Sequence, residues 1–142
     1  MQAKMASNFL ITYTVDWHQT PGAYWVHIPI VGGDEYTPPA PKPIPGKGYA
    51  ILQVPFGAHV LEFCSAAQLQ HYIDVLSQKL LPTTTQLSAQ RGSGAGPNGH
   101  WLSRLPAELK PYSKRVLLVK KLKAALEYAA AHAPGTAFKS VT

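Results

Sequence analysis

The sequence predicts an α+β fold: about four mostly antiparallel strands from the N-terminal half, covered on one face by two main helices near residues 66–81 and 113–132. Period-two alternation of aromatic and β-branched residues prevails before residue 65, the signal of half-buried strands. Two later stretches repeat their apolar residues at helical spacing instead. Strands come first and helices second, an order that argues against alternating βαβ units.

Phe9, Ile11, Tyr13 and Val15 alternate with Thr12, Thr14 and Asp16, which predicts a first strand over residues 8–16. Thr20-Pro21-Gly22 is a turn. Tyr24, Val26, Ile28 and Ile30 then face away from Trp25, His27 and Pro29, predicting a second strand that ends at the proline or lies at an edge. Residues 32–48 form a Pro-rich loop; five of the eight residues from 38 to 45 are proline, which stiffens the chain into polyproline II. This loop reads as a rigid crossover between two strand pairs or as a docking segment for an aromatic groove. Residues 49–54 and 59–63 are the third and fourth strands, with Gly57 supplying the positive φ of the turn between them.

Ser65 and Gln68 form a capping-box pattern, and Leu69, Tyr72, Ile73, Leu76 and Leu80 follow at helical spacing until Pro82. Residues 91–99 are a Gly-rich loop. The last helix begins at Pro111 or Ser113 and is stopped by Pro134-Gly135, leaving residues 136–142 as a frayed tail. At 100° per residue, Leu118, Val119, Leu122, Ala125, Leu126 and Ala129 share one arc, with Lys120, Lys123 and Glu127 opposite. No internal repeat or linker divides residues 1–142, so a single domain is expected.

Charge is distributed unevenly. Residues 91–123 carry eight of the thirteen Lys and Arg residues but one acid, Glu108, while the rest of the chain is nearly balanced. A formal charge of +6 favours acidic partners, nucleic acid first and anionic protein surfaces second. Arg91, Arg104, Lys110, Lys114, Arg115, Lys120, Lys121 and Lys123 are the predicted phosphate contacts, with Trp101 either a stacking platform for a base or a residue docked on the core. Lys114 and Arg115 occupy the first turn of the last helix, where the helix dipole disfavours cations by ~0.3–1 kcal/mol each. A phosphate bound there would reverse that sign. The leading expectation is a non-enzymatic nucleic-acid-binding accessory protein. The alternative is an inhibitor or adaptor docking on an acidic surface of a host complex, with the Pro-rich loop and Trp17, Trp25 or Tyr36 as anchors.

Other chemistries find little support. Gly94, Gly96 and Gly99 spell the dinucleotide fingerprint, but the preceding segment is a poor strand, Pro97 interrupts the turn, and no acid falls about 20 residues on. No Gly-x-Ser-x-Gly elbow is present, and the carboxylates form no acid–base or two-metal pattern, so no catalytic residue or cofactor is assigned. The six histidines show no metal-site spacing and the lone Cys64 excludes the usual structural zinc sets, so no metal is expected. Cys64 cannot form an internal disulfide, which suits a reducing cytoplasm. The N-terminus lacks the apolar run of a signal peptide, and no segment approaches the roughly 18 apolar residues of a membrane span. A cytoplasmic protein is therefore expected.

The run from Gly96 through Pro97, Asn98, Gly99, His100, Trp101, Leu102, Ser103, Arg104, Leu105 and Pro106, with Lys110-Pro111-Tyr112 beyond it, resembles a segment of small uncharacterised proteins carried on bacterial mobile elements. The resemblance covers less than a quarter of the chain. It implies a setting of replication, transfer, regulation or interference with host defence, and transfers no catalytic residue.

Overall fold

A computed structural model of the protein describes residues 9–20, 23–29, 36–81 and 101–139. In chain order the elements are β1 (Leu10–Thr14), α1 (Ala23–Val26), β2 (Ile28–Pro29), β3 (Tyr36–Thr37), β4 (Tyr49–Phe56), β5 (His59–Phe63), α2 (Ala66–Leu76) and α3 (Tyr112–His132). Short 3-10 turns lie at Trp17–Gln19, Trp101–Arg104 and Ala107–Leu109. The Gly-rich loop at 91–99, the end of the tail beyond residue 139 and the first part of the Pro-rich loop fall outside the described residues.

The fold is α+β, as the alternation and the helical stripes predict. Its sheet has three antiparallel strands in the order β1-β4-β5. Thr14 pairs with Tyr49 at one end of the first ladder, and Phe56 with His59 at the hairpin end of the second. The hairpin turns at Gly57, which has a φ of 60°. Pro55 is tolerated within β4 because β1 reaches only as far as Gln53, so no ladder bond to β1 is lost there. Gly48 is required for a different reason: at φ 96°, a Cβ would lie 2.5 Å from the Thr14 carbonyl oxygen.

The described part of the expected second strand, residues 24–29, is not part of this sheet. Ala23–Val26 forms one helical turn, and Ile28–Pro29 pairs with Tyr36–Thr37 in a separate two-stranded ribbon. The Ala23 amide donates to the Thr20 carbonyl at 3.2 Å and the His27 amide to the Ala23 carbonyl at 3.0 Å, so the chain coils where alternation suggested extension. This coil delivers His27 into the interior, where both ring nitrogens are hydrogen-bonded; tertiary bonds override strand propensity.

Side chains of β4 divide between the two sheet faces. Ala50, Leu52 and Val54 join Phe63 and the apolar faces of α2 and α3 in the main core. Ile51 packs with Trp17, Ala23 and Cys64 in a smaller cluster on the opposite face. Leu69, Tyr72, Ile73 and Leu76 of α2 are buried as their spacing predicts. That helix, however, ends at Leu76 and not near residue 81, which leaves Leu80 85% exposed.

Candidate functional site

The helix α3 is long and capped only by backbone geometry: Pro111 occupies the N-cap position and provides no side-chain cap bond. Its stability comes from packing. Leu118, Val119, Leu122, Ala125 and Ala129 are buried and Leu126 is half-buried, in agreement with the predicted arc. Lys114, Lys120 and Lys123 are exposed and Lys121 is half-exposed on the remaining circumference. At 100° per residue, Lys120 and Lys123 flank Val116, with Tyr112 next to Lys123, while Lys121 and Lys114 follow Leu117 on the other side. Tyr112, Val116 and Leu117 are about half exposed, so the surface alternates cations with apolar groups. A shallow groove of about 290 Å³ runs between Tyr112, Val116, Lys120 and Lys123 of α3 and Leu76-Ser77 at the end of α2. Among the described residues, none of these lysines pairs with a carboxylate.

Arg115 requires a correction. It is 3% exposed, and its guanidinium is spent on main-chain carbonyls. Nε donates to Lys110 O at 2.7 Å, Nη1 to Leu76 O at 2.9 Å and also to Gln78 O, and Nη2 to Lys79 O at 3.0 Å. The predicted conflict between Arg115 and the α3 dipole is thus resolved without a phosphate. The cation sits at the start of α3 but also at the C-terminal end of α2, where the dipole favours it. Its fork donates to the carbonyl of Leu76, the last residue of α2, and to those of Gln78 and Lys79 just beyond it, which a continuing helix would have bonded with its own amides.

Trp101 is likewise not a stacking platform. It is 2% exposed and lies flat on Tyr72, with centroids 3.6 Å apart and planes inclined by 8°. Its docking on the core wins because an indole is too large an apolar body to leave wet when an aromatic ring is available to cover it. Arg91 and the side chain of Arg104 lie outside what is described; Lys110 is half-buried, its carbonyl held by Arg115. The predicted cations that the structure leaves exposed on α3 are therefore Lys120 and Lys123 on one side and Lys114 and Lys121 on the other. Tyr112, Val116 and Leu117 were missed as exposed neighbours of these lysines, although the same helical wheel places them outside the buried arc. Trp17, suggested as an anchor for a partner, is 6% exposed and sits in the smaller core.

A second polar cluster lies beneath the Pro-rich segment. His27 Nδ1 is 2.9 Å from Pro38 O, and its Nε2 is 2.8 Å from Ser65 Oγ. Ser65 Oγ accepts the Gln68 amide at 3.1 Å, as the capping pattern predicts. The Gln68 side chain departs from the standard box: its Oε1 accepts from the Cys64 amide at 2.8 Å and from Thr20 Oγ1 at 3.3 Å. Burial pushes the Cys64 thiol up to about 11, so it remains protonated and unreactive. His59 Nε2 lies 3.1 Å from Glu108 Oε1, close enough for charge pairing though not aligned as a hydrogen bond. Among the described residues, no three His, Cys, Asp or Glu side chains gather as a metal site would require, and no helix is long and apolar enough to cross a membrane.

Burial lowers the pKa of His27, a shift the Pro38 carbonyl partly opposes, and also that of His71, which Asp74 partly opposes. Both rings are neutral in the fold and take up protons on unfolding once the pH falls below the ordinary value of 6.5. The unfolded chain then binds more protons, so stability is full above 6.5 and declines as acidification proceeds toward the lowered folded-state values. Urea midpoints measured from about pH 8 to about pH 5 are expected to be flat at first and then fall, with His27→Gln reducing the acid-side slope.

Comparison with protein-family models, curated proteins and solved structures finds no match.

Proposed function

We propose that the exposed face of α3 binds a polyanion and that the protein is a nucleic-acid-binding accessory protein, this surface gripping phosphate backbone instead of reading base edges. The observation that carries this reading is the set of four lysines, Lys114, Lys120, Lys121 and Lys123, carried by one helix and none of them ion-paired with a carboxylate among the described residues. Each can displace a condensed counterion from a phosphate chain. With Arg115 committed to α2, phosphate capture at the start of α3 falls to Lys114 and to first-turn amides that no side chain caps. Tyr112, exposed beside them, offers a ring on which an unstacked base could lie.

Binding of random duplex and single-stranded oligonucleotides, followed by fluorescence anisotropy, is expected to weaken steeply between about 50 and about 200 mM salt. Replacing Lys120, Lys121 and Lys123 together with alanine should lower the slope of log affinity against log salt by roughly two to three. Thermal stability should hardly change, because these side chains carry no core contact. An unchanged slope, or no binding at low salt, overturns the reading.

A protein partner is the second reading, favoured by a specific observation. Val116, Leu117 and Leu80 expose much of their apolar surface and would gain nothing from phosphate. Lysines around apolar anchors suit an acidic protein surface, such as a host complex targeted by a mobile-element protein. A stoichiometric partner recovered by pull-down after nuclease treatment, and lost on Val116→Asp, would establish it.

A further inference from the structure

The hydrogen bonds around His27 define its protonation state. A carbonyl oxygen can only accept, so Nδ1, facing Pro38 O at 2.9 Å, carries the ring hydrogen. The ring is 0% exposed, and burial holds it neutral. Nε2 is therefore a bare lone pair, and the Ser65 hydroxyl 2.8 Å away donates to it. A serine whose proton points at a histidine, itself oriented from its far nitrogen, is the arrangement of an activated nucleophile and its general base. The main-chain carbonyl takes the orienting position that a carboxylate often fills.

The surroundings suit that chemistry. His27 and Ser65 line an open pocket of about 410 Å³ bordered by Pro38 and Ala137 and also by Lys42 and Lys139. Ser65 stands at the N-cap of α2, where the Gln68 amide donates to its Oγ and the helix dipole favours a developing alkoxide. The amide of Ala67, another lining residue, has no partner among the described residues.

We propose that Ser65 and His27 form a nucleophile–base pair acting on short-chain acyl esters, a site separate from the α3 surface. Ser65 Oγ attacks the ester carbonyl carbon while its proton passes to His27 Nε2. The tetrahedral oxyanion is met by the Ala67 amide. Collapse breaks the carbon–oxygen bond to the alcohol, which leaves with the proton from Nε2. Water then attacks the acyl-serine by the same route, releasing the carboxylic acid and restoring Ser65. A pocket of this volume, lined by prolines and alanines as well as by Lys42, Thr136 and Lys139, has room for an acyl group of a few carbons.

The test uses the full-length protein and a fluorophosphonate probe, in which serine oxygen displaces fluoride from phosphorus and the liberated proton is taken by the histidine. Intact-mass and peptide analysis are expected to show one adduct, on Ser65, slowed by competing p-nitrophenyl acetate. His27→Gln should slow labelling by at least about a hundredfold. Because either substitution could weaken the fold through the α2 cap, the wild-type adduct position and the pH dependence of its formation decide the matter alone. Labelling of Ser65 that falls on acidification supports the pair. No adduct on folded wild-type protein, or an adduct only at another residue, overturns it.

Discussion

Replacing Arg115 with alanine is expected to destabilise the protein by about 3 kcal/mol while leaving polyanion binding by the folded fraction intact. The guanidinium ties four carbonyls, from Leu76, Gln78, Lys79 and Lys110, across a gap in sequence of nearly forty residues. Removing it takes the guanidinium donor from the buried Leu76 carbonyl at the end of α2 and opens a void beneath Tyr112, whose ring lies 5.3 Å from the guanidinium carbon. Carbonyls of the exposed residues Gln78 and Lys79 can recover water, which limits the loss. Arg115→Lys should recover less than half of it, since a single ammonium cannot span the positions served by the planar fork. Urea unfolding provides the stability change, and oligonucleotide titration of the same variants separates structure from binding. An Arg115→Ala protein of normal stability that no longer bound oligonucleotide would return this residue to the contact surface.

Trp101→Ala is expected to cost more, about 3–5 kcal/mol, because a large buried ring leaves a cavity that its neighbours cannot fill. The stack with Tyr72 makes the loss cooperative: a double-mutant cycle of Trp101→Phe with Tyr72→Leu should show coupling of about 1 kcal/mol. Loss of near-ultraviolet circular dichroism at temperatures where the far-ultraviolet signal persists would identify this aromatic pair as the clamp of residues 101–109 against α2. A Trp101 variant with unaltered stability but weakened oligonucleotide affinity would contradict the burial described here.

Features governed by short-range periodicity were legible in the sequence. The buried arc of α3, the Ser65 cap and the turn at Gly57 each depend on residues within about one helical turn or one hairpin. The errors share a different origin. Alternation at residues 24–30 satisfied the strand rule, yet His27 was drawn inward by Pro38 and Ser65, partners 11 and 38 positions away. The end of α2 at Leu76 is held by Arg115, 39 positions away, a partner that no local pattern announces.

The candidate surface shows the same division. A helical wheel separated the exposed lysines of α3 from its core correctly, but counting charge along the chain could not distinguish lysine on the surface from arginine serving as a cap. Arg115 looked like a functional conflict because only one of the two helices it touches was local to it. The Ser65–His27 pair was equally hidden: its two members lie 38 positions apart, and the capping pattern around Ser65 announces a helix start and not a histidine partner.

The central claim is that the exposed arc of α3 meets the polyanion while Arg115 and Trp101 serve the fold. Amide chemical-shift mapping during titration with a short oligonucleotide at low salt addresses it most directly. Shifts are expected to concentrate at Tyr112, Lys114, Lys120, Lys121 and Lys123 and to disappear as salt is raised. Shifts absent from α3, or centred on another face of the protein, would contradict the account.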